Sequence, residues 1–347
     1  MAGAGGGPGT PGGAQEDRER RLAELREEAR RTGTVSAPGV NVEGGPLPAG
    51  STSGAKPAGY YGQPVVKAPV WTWEIPTYFF VGGLAGMSAV IAAAARFIGH
   101  DAATSIAALW IAAVGAVISA LLLISDLGRS SRFLNMLRVF KRRSPMSVGA
   151  WTLALFGGLS VLALTLATAQ RHLLSAGGGS GALAVLVSVS SLGTAVLGSV
   201  LGTYTGVLIG ATAIPAWHRH RVLLPAHFGI AGLGSSAALL QLLGFHRPAL
   251  VAVALAASGA ECLVGATVEL ARHGAADRAL RTGRSGALLR LGGLLAGPTA
   301  FVLWLMGMLP FGAVAFLLGA LVSRFGWLAA GRASARDPQS TLEAQGG

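Results

Sequence analysis

Residues 102–170 read AATSIAALWIAAVGAVISALLLIS (102–125), DLGRSSRFLNMLRVFKRR (126–143) and SPMSVGAWTLALFGGLSVLALTLATAQ (144–170). Two charge-free runs flank a short link that carries six of the chain's 27 Lys and Arg residues. A helix needs about 20 apolar residues to cross the hydrocarbon core of a bilayer. Each flanking run is long enough, and neither contains a group that lipid would reject. The pattern therefore predicts two membrane-spanning helices joined by a basic turn.

The same alternation extends along the chain. Further charge-free runs lie at 75–95, 173–217, 222–245, 248–260 (continuing past Glu261 to 271) and 285–323, the last broken only by Arg290. Run 173–217 opens with the loop Ala176-Gly-Gly-Gly-Ser-Gly181, leaving one long helix over about 182–214. Run 285–323 is too long for one crossing. Gly307, Pro310 and Gly312 supply a turn that splits it into spans at about 287–306 and 310–329. The expectation is an all-α polytopic membrane protein with eight transmembrane helices.

Composition agrees with this. Of 347 residues, 52% are hydrophobic and 12% charged, too few charges to cover a water-facing surface. A soluble enzyme is excluded. The net charge of +12 reports topology and contact with lipid or a partner rather than nucleic acid. With Cys262 as the one cysteine, a disulfide, a zinc cluster or a protein-ligated iron–sulfur cluster within this chain is not expected.

Residues 1–70 are a different material, with 15 Gly and 8 Pro. They read as a disordered extension, with a short charged helix over Gln15–Arg31 that has no apolar stripe. No apolar stretch follows Met1 as in a signal peptide. The membrane domain is expected over 71–330 and a polar tail over 331–347. The even-numbered links carry thirteen Lys or Arg and the odd-numbered ones three, namely Arg96, Arg171 and Arg247. By the positive-inside rule both termini should be cytoplasmic.

Individual residues then stand out against the apolar background. Glu74 opens the first helix beside Trp71 and Trp73, an interfacial aromatic pair, where an acid is also favoured by the helix dipole. Asp126 and Arg129 close the second helix at an (i, i+3) spacing that suits an ion pair. In the link, Phe133, Met136, Leu137 and Phe140 fall at helical spacing between basic residues, as in a helix lying on the membrane. Gly198, Gly202, Gly206 and Gly210 recur every fourth residue, one face for close helix packing, with Tyr204 between them. Glu261 sits near the middle of the sixth helix, with Cys262 beside it. A carboxyl there is costly, so a proton-relay role is expected, against a purely structural interhelical bond. Glu269 is expected at the interface beside Arg272 and His273. All seven histidines fall at or near helix ends, so a bis-histidine haem site is not expected.

The stretches WTWEIPTYFFVGGLAG (71–86) and LLISDLGRSSRFLNMLRVFKRRSPMSVGAW (122–151) resemble the NrfD/polysulfide reductase membrane-subunit family, and 202–217, ending Ile214-Pro215-Ala-Trp217, is similar to the family's fourth-helix ending. The resemblance spans about 70–330. It implies two four-helix bundles and electron exchange between a membrane quinone pool, menaquinone above all, and a ferredoxin-like iron–sulfur subunit, often serving a molybdopterin catalytic subunit in the bacterial plasma membrane. Topology puts Glu74, Tyr78, Asp126, Arg129 and Tyr204 in the same membrane half, within reach of one quinone pocket. Arg132, Arg138 and Lys141 become a partner-docking surface, and Glu261 the catalytic proton carrier. Metal ligands are not expected. Two other readings fit the same residues: an ion- or proton-translocating transporter module, and a passive membrane anchor of a redox complex.

Overall fold

The computed structural model describes residues 66–126, 137–270 and 274–345. Among them the elements are α1 (Glu74–Phe97), α2 (Ala102–Asp126), α3 (Pro145–Ser175), α4 (Gly181–Gly210), the short α5 (Pro215–Arg219), α6 (Leu223–Leu242), α7 (Pro248–Leu270), α8 (Ala275–Arg281), α9 (Gly283–Leu294), α10 (Ala300–Leu305), α11 (Leu309–Arg336) and α12 (Pro338–Gln345). A π-turn over Leu295–Thr299 joins α9 to α10. Eight helices are long and apolar enough to cross a membrane: α1, α2, α3, α4, α6, α7, the α9–α10 pair and α11. The described chain has no strand, as expected where lipid offers the backbone no hydrogen-bond partner and each segment must satisfy its own.

Local chemistry sets the ends of these helices. Ser144 and Ser180 accept hydrogen bonds from the N–H groups of Ser147 and Leu183, at 3.4 and 3.1 Å, and so cap α3 and α4. Pro145, Pro215 and Pro310 sit in first turns, where the missing N–H costs nothing. Run 182–214 divides for this reason: α4 stops at Gly210, and Pro215 begins a separate turn of helix. Gly307, at φ +75°, makes the turn that separates α10 from α11, so the last charge-free run does split in two.

The spans form two four-helix bundles, α1–α4 and α6, α7, α9–α10 and α11, joined where α1 and α4 pack on α6. Small residues make that junction. A side chain at Gly198 would strike the carbonyl oxygen of Gly86, and one at Gly206 would strike the backbone of Leu224. Gly232 stands similarly close to Gly83. Ser236, buried on α6, donates 2.8 Å hydrogen bonds to the carbonyls of Leu84 and of Gly232 in its own helix. Close backbone approach of this kind is how helices associate where lipid removes the hydrophobic drive. The core has two layers, one in each half of the membrane, and both cross between bundles. Leu109, Trp304 and Phe316 belong to one; Phe79, Trp217, Phe228 and Trp327 belong to the other.

Two stretches differ from the sequence expectation. Helix α11 continues past 330 to Arg336, and the polar tail folds as α12, with Ser340 and Thr341 buried. Glu343 there accepts a 2.7 Å hydrogen bond from the N–H of Ala275. In the basic link, residues 137–144 form turns rather than a helix. The Ser147 hydroxyl bonds to the Lys141 N–H and the Val139 carbonyl, at 3.1 and 3.3 Å, and so draws this segment onto the start of α3. The rest of the expected surface helix, with Arg129, Arg132, Phe133 and Met136, lies outside the described residues, as does the N-terminal segment to 65.

The glycine junction makes a direct test. Gly198→Leu should destabilise the full chain by about 1–3 kcal/mol, as overpacking does. Gly158→Ala, where an added Cβ meets nothing within 4 Å, should leave the thermal midpoint unchanged or raise it slightly. Unfolding curves in detergent measure both.

Candidate functional site

The sequence-predicted residues fall into two groups. Glu74 begins α1, Asp126 ends α2, and Tyr78 and Tyr204 lie within α1 and α4. These four share one end of the first bundle, hereafter the basic end because the arginine-rich links lie there. Asp126 is within electrostatic range of Glu74, and Tyr78 of Tyr204. The Thr72 hydroxyl bonds to the Glu74 carboxylate. Both tyrosines are buried. The Tyr204 ring fills the space left by Gly149 and its hydroxyl donates to the Pro145 carbonyl at 2.5 Å. That hydroxyl already has an acceptor inside the protein.

Glu261 belongs elsewhere, to the second bundle. A cleft of about 500 Å³ opens between α7 and the α9–α10 helix, with His227, Glu261, Ser323 and Trp327 along its inner wall. Leu294 and Pro298 stand exposed at its mouth, so the opening faces the lipid side. Glu269 and Arg290, paired at 2.9 Å, form its polar rim. Arg290 is therefore the described partner of Glu269; Arg272 and His273 lie outside the described residues.

A kink shapes the cleft. Gly297 leaves helical geometry at φ −86°, ψ −108°, and Pro298 follows it without an N–H to donate. The Ser258 hydroxyl covers the carbonyls of Ala296 and Gly297, at 2.6 and 3.2 Å. The bend thus satisfies its freed backbone from α7. Gly297 lies against Cys262, which holds the kink at the level of Glu261.

At the floor, His227 Nδ1 and Glu261 Oε1 are 3.1 Å apart, and each side chain is only 3% exposed. The other imidazole nitrogen, Nε2, is buried without a hydrogen-bond partner. An unpaired buried donor or acceptor is costly, and beside a cleft it points to a ligand or water that completes it. A second buried charge stands close by. Arg324 is 1% exposed, its guanidinium 3.8 Å from the Phe228 ring centroid, and it donates to the Phe228 carbonyl at 3.2 Å. It lies within electrostatic range of Glu261. A carboxyl group, an imidazole and a guanidinium thus occupy one apolar interior, where buried ionisable groups need partners.

Trp327 connects this floor to the membrane surface. Its ring packs against both His227 and His220, with centroids 6.1 and 5.6 Å away. His220 Nε2 is 3.2 Å from Asp277 Oδ1. Arg219 Nε is 3.0 Å from Asp277 Oδ2, an ion pair off the line of a hydrogen bond.

Against this geometry, the family profile for polysulphide reductase, NrfD, matches residues 63–250, just over half of the chain. The chain belongs to the NrfD family. No curated protein matches the chain at a significant level. The match covers the first bundle and α6, with His227, and ends at the start of α7. Glu261, Arg324 and Trp327 of this NrfD protein therefore lie beyond the matched span. His227 and Arg324 are the residues that sequence reasoning missed. The signal for His227 was its place inside a charge-free run, discounted because it stands near the helix start. Arg324 read only as the residue closing the last run, although α11 continues twelve residues beyond it to Arg336.

One titration follows outside the spans. Burial holds the His220 imidazole below its ordinary value, more than Asp277 raises it. A histidine that binds its proton less tightly folded than unfolded contributes stability above about pH 6.5, and this is lost as pH falls through the lower folded value. The thermal midpoint in detergent should thus drop between about pH 7 and about pH 5, and His220→Gln should flatten that drop.

Proposed function

We propose that the chain is the quinone-interacting membrane subunit of an oxidoreductase complex, and that the quinone ring binds in the cleft between α7 and the α9–α10 helix. The observation that carries this is the buried, unpartnered Nε2 of His227 on the wall of a lipid-facing cleft. The fit is chemical as well as steric. A quinone ring needs a polar group for its oxygen and an apolar surround, while its isoprenoid tail stays in lipid. His227 supplies the first; Val264, Leu280 and Leu289 supply the second. When bound, a quinone supplies two-electron redox chemistry tied to two protons.

The protein's own groups do the rest. His227 holds a ring oxygen through Nε2 and orients its ring through Nδ1 against Glu261. A proton received at Nε2 is matched by release at Nδ1, where the Glu261 carboxylate takes it. Arg324 offsets the carboxylate's charge without hydrogen-bonding to it. Trp327 shields the pair from the surface. The ligands expected in the first bundle, Glu74, Tyr78, Asp126 and Tyr204, then form a second polar group in which the Tyr204 hydroxyl is engaged by the main chain.

On this reading both termini are cytoplasmic and the membrane is a bacterial plasma membrane. The electron partner is a ferredoxin-like iron–sulfur subunit, with a molybdopterin catalytic subunit behind it, and menaquinone is the membrane carrier. The family membership supports the class of complex, and the excess of basic residues in even-numbered links supports the side.

Glu261→Gln preserves volume and hydrogen bonding but removes the proton site. In the purified complex it should assemble, bind quinone, lower turnover by about 10²-fold or more and flatten the pH–rate profile. Glu269→Gln alters only the rim and should act mainly on apparent quinone affinity. An unchanged rate and pH profile in Glu261→Gln would make the residue structural.

Exposure of Arg138 and Lys141 leaves the described part of the basic link open to a soluble subunit. Replacing Arg132, Arg138 and Lys141 with Ser should release the iron–sulfur partner at moderate salt, since such contacts are screened. Copurification unaltered up to high salt would place the docking face elsewhere.

A further inference from the structure

A second opening lies at the basic end, independent of the quinone reading. It is a groove of about 590 Å³ between the start of α1, the turn into α9 and the end of α11. Arg284, Arg332 and Arg336 line it, together with Trp73, Leu288 and Phe325. No carboxylate among the described residues forms an ion pair with any of the three arginines. Arg332 carries a buried Nε without a hydrogen-bond partner. Three guanidinium groups at an apolar, aromatic floor ask for an anion that also brings hydrocarbon.

The depth of the groove identifies the ligand class. Helix α11 has 28 residues, about 42 Å at 1.5 Å per residue, which exceeds the hydrocarbon core of about 30 Å. Its other end is apolar: Met306 and Phe311 are 68% and 62% exposed around the Gly307 turn. The overhang therefore falls at the end that holds Arg332 and Arg336, level with lipid headgroups. Trp73, 61% exposed at the opposite wall, suits the same depth. We propose that this groove is a binding site for an anionic phospholipid, with its phosphodiester on Arg284, Arg332 and Arg336 and its glycerol end against Trp73 and Phe325. A soluble acidic protein would need a protrusion to reach the apolar floor, whereas a lipid at this level already carries both parts.

The test uses the full chain in mild detergent with added cardiolipin or phosphatidylcholine, followed by native mass spectrometry. Cardiolipin should be retained and phosphatidylcholine should not, and excess inorganic phosphate should fail to displace it. Arg284 and Arg336 are exposed, so their joint change to Gln should spare the fold. Loss of two basic contacts should weaken retention by about thirtyfold. Arg142→Gln with Arg143→Gln removes the same charge from exposed positions outside the groove and should retain the lipid. Equal retention by both double variants overturns the proposal and points to a protein partner. Equal loss by both overturns it in favour of bulk attraction, and displacement by inorganic phosphate in favour of a simple anion site.

Discussion

A carboxyl in the membrane interior needs a partner, and the second bundle is arranged around that requirement at Glu261. The residue comes from α7, its hydrogen-bond partner His227 from α6, and the nearby guanidinium of Arg324 from α11. Three helices therefore converge because none can carry its ionisable group alone. Arg324 also binds the carbonyl and ring face of Phe228, the residue after His227. The same side chain thus fixes α6 against α11 and supplies charge to the floor. Removing one partner would leave the others unmatched in an apolar interior, which is why polar clusters of this sort are rigid.

Close contact between the bundles depends on the opposite property, the absence of side chains. Gly86 meets Gly198, Gly83 meets Gly232, and Gly206 meets the backbone at Leu224. These contacts bring α6 against α1 and α4, which places His227 in the second bundle a few residues from the junction. The first bundle's polar end, with Glu74 and Asp126, and the second bundle's His–Glu floor then lie in the same membrane half. Trp217, with its indole donating to the Trp327 carbonyl at 2.8 Å and its ring stacked on Trp71 at 5.6 Å, binds the two regions through aromatic contact.

Span number and span position were legible because lipid imposes one rule on every crossing: about 20 residues without charge. The helices at 74–97, 102–126 and 248–270 fall within a few residues of the charge-free runs. The glycine face of the fourth helix was legible for the same reason, since a four-residue repeat has one geometric outcome. Glu261 stood out as a charge against an apolar background. Its partners did not. His227 and Arg324 lie 34 residues before it and far after it in the chain, and pairing across such separations is a property of tertiary packing. Arg324 was hidden further because it lies inside the expected span at about 310–329, where the sequence names no partner on another helix. The contact of the Tyr204 hydroxyl was illegible for a similar reason, because the Pro145 carbonyl that engages it belongs to another helix.

The kink in the seventh span links these observations to chemistry. A straight helix there would lie along α7 and close the space beside Glu261. Pro298 removes a donor and Gly297 permits the irregular backbone, but a bend in lipid leaves carbonyls that water cannot reach. Ser258 supplies the missing donor from α7, at 2.6 Å to Ala296, one turn before Glu261 on the same helix. The helix that carries the carboxyl therefore also stabilises the bend that exposes it. That coupling explains how a cleft can persist beside a buried acid: its shape comes from covalent limits at Gly297 and Pro298, and its polar wall from a pair satisfied on one side and open on the other. On the proposed function, an imidazole with Nδ1 engaged by Glu261 and Nε2 open to the cleft is the group placed to relay a proton between the two.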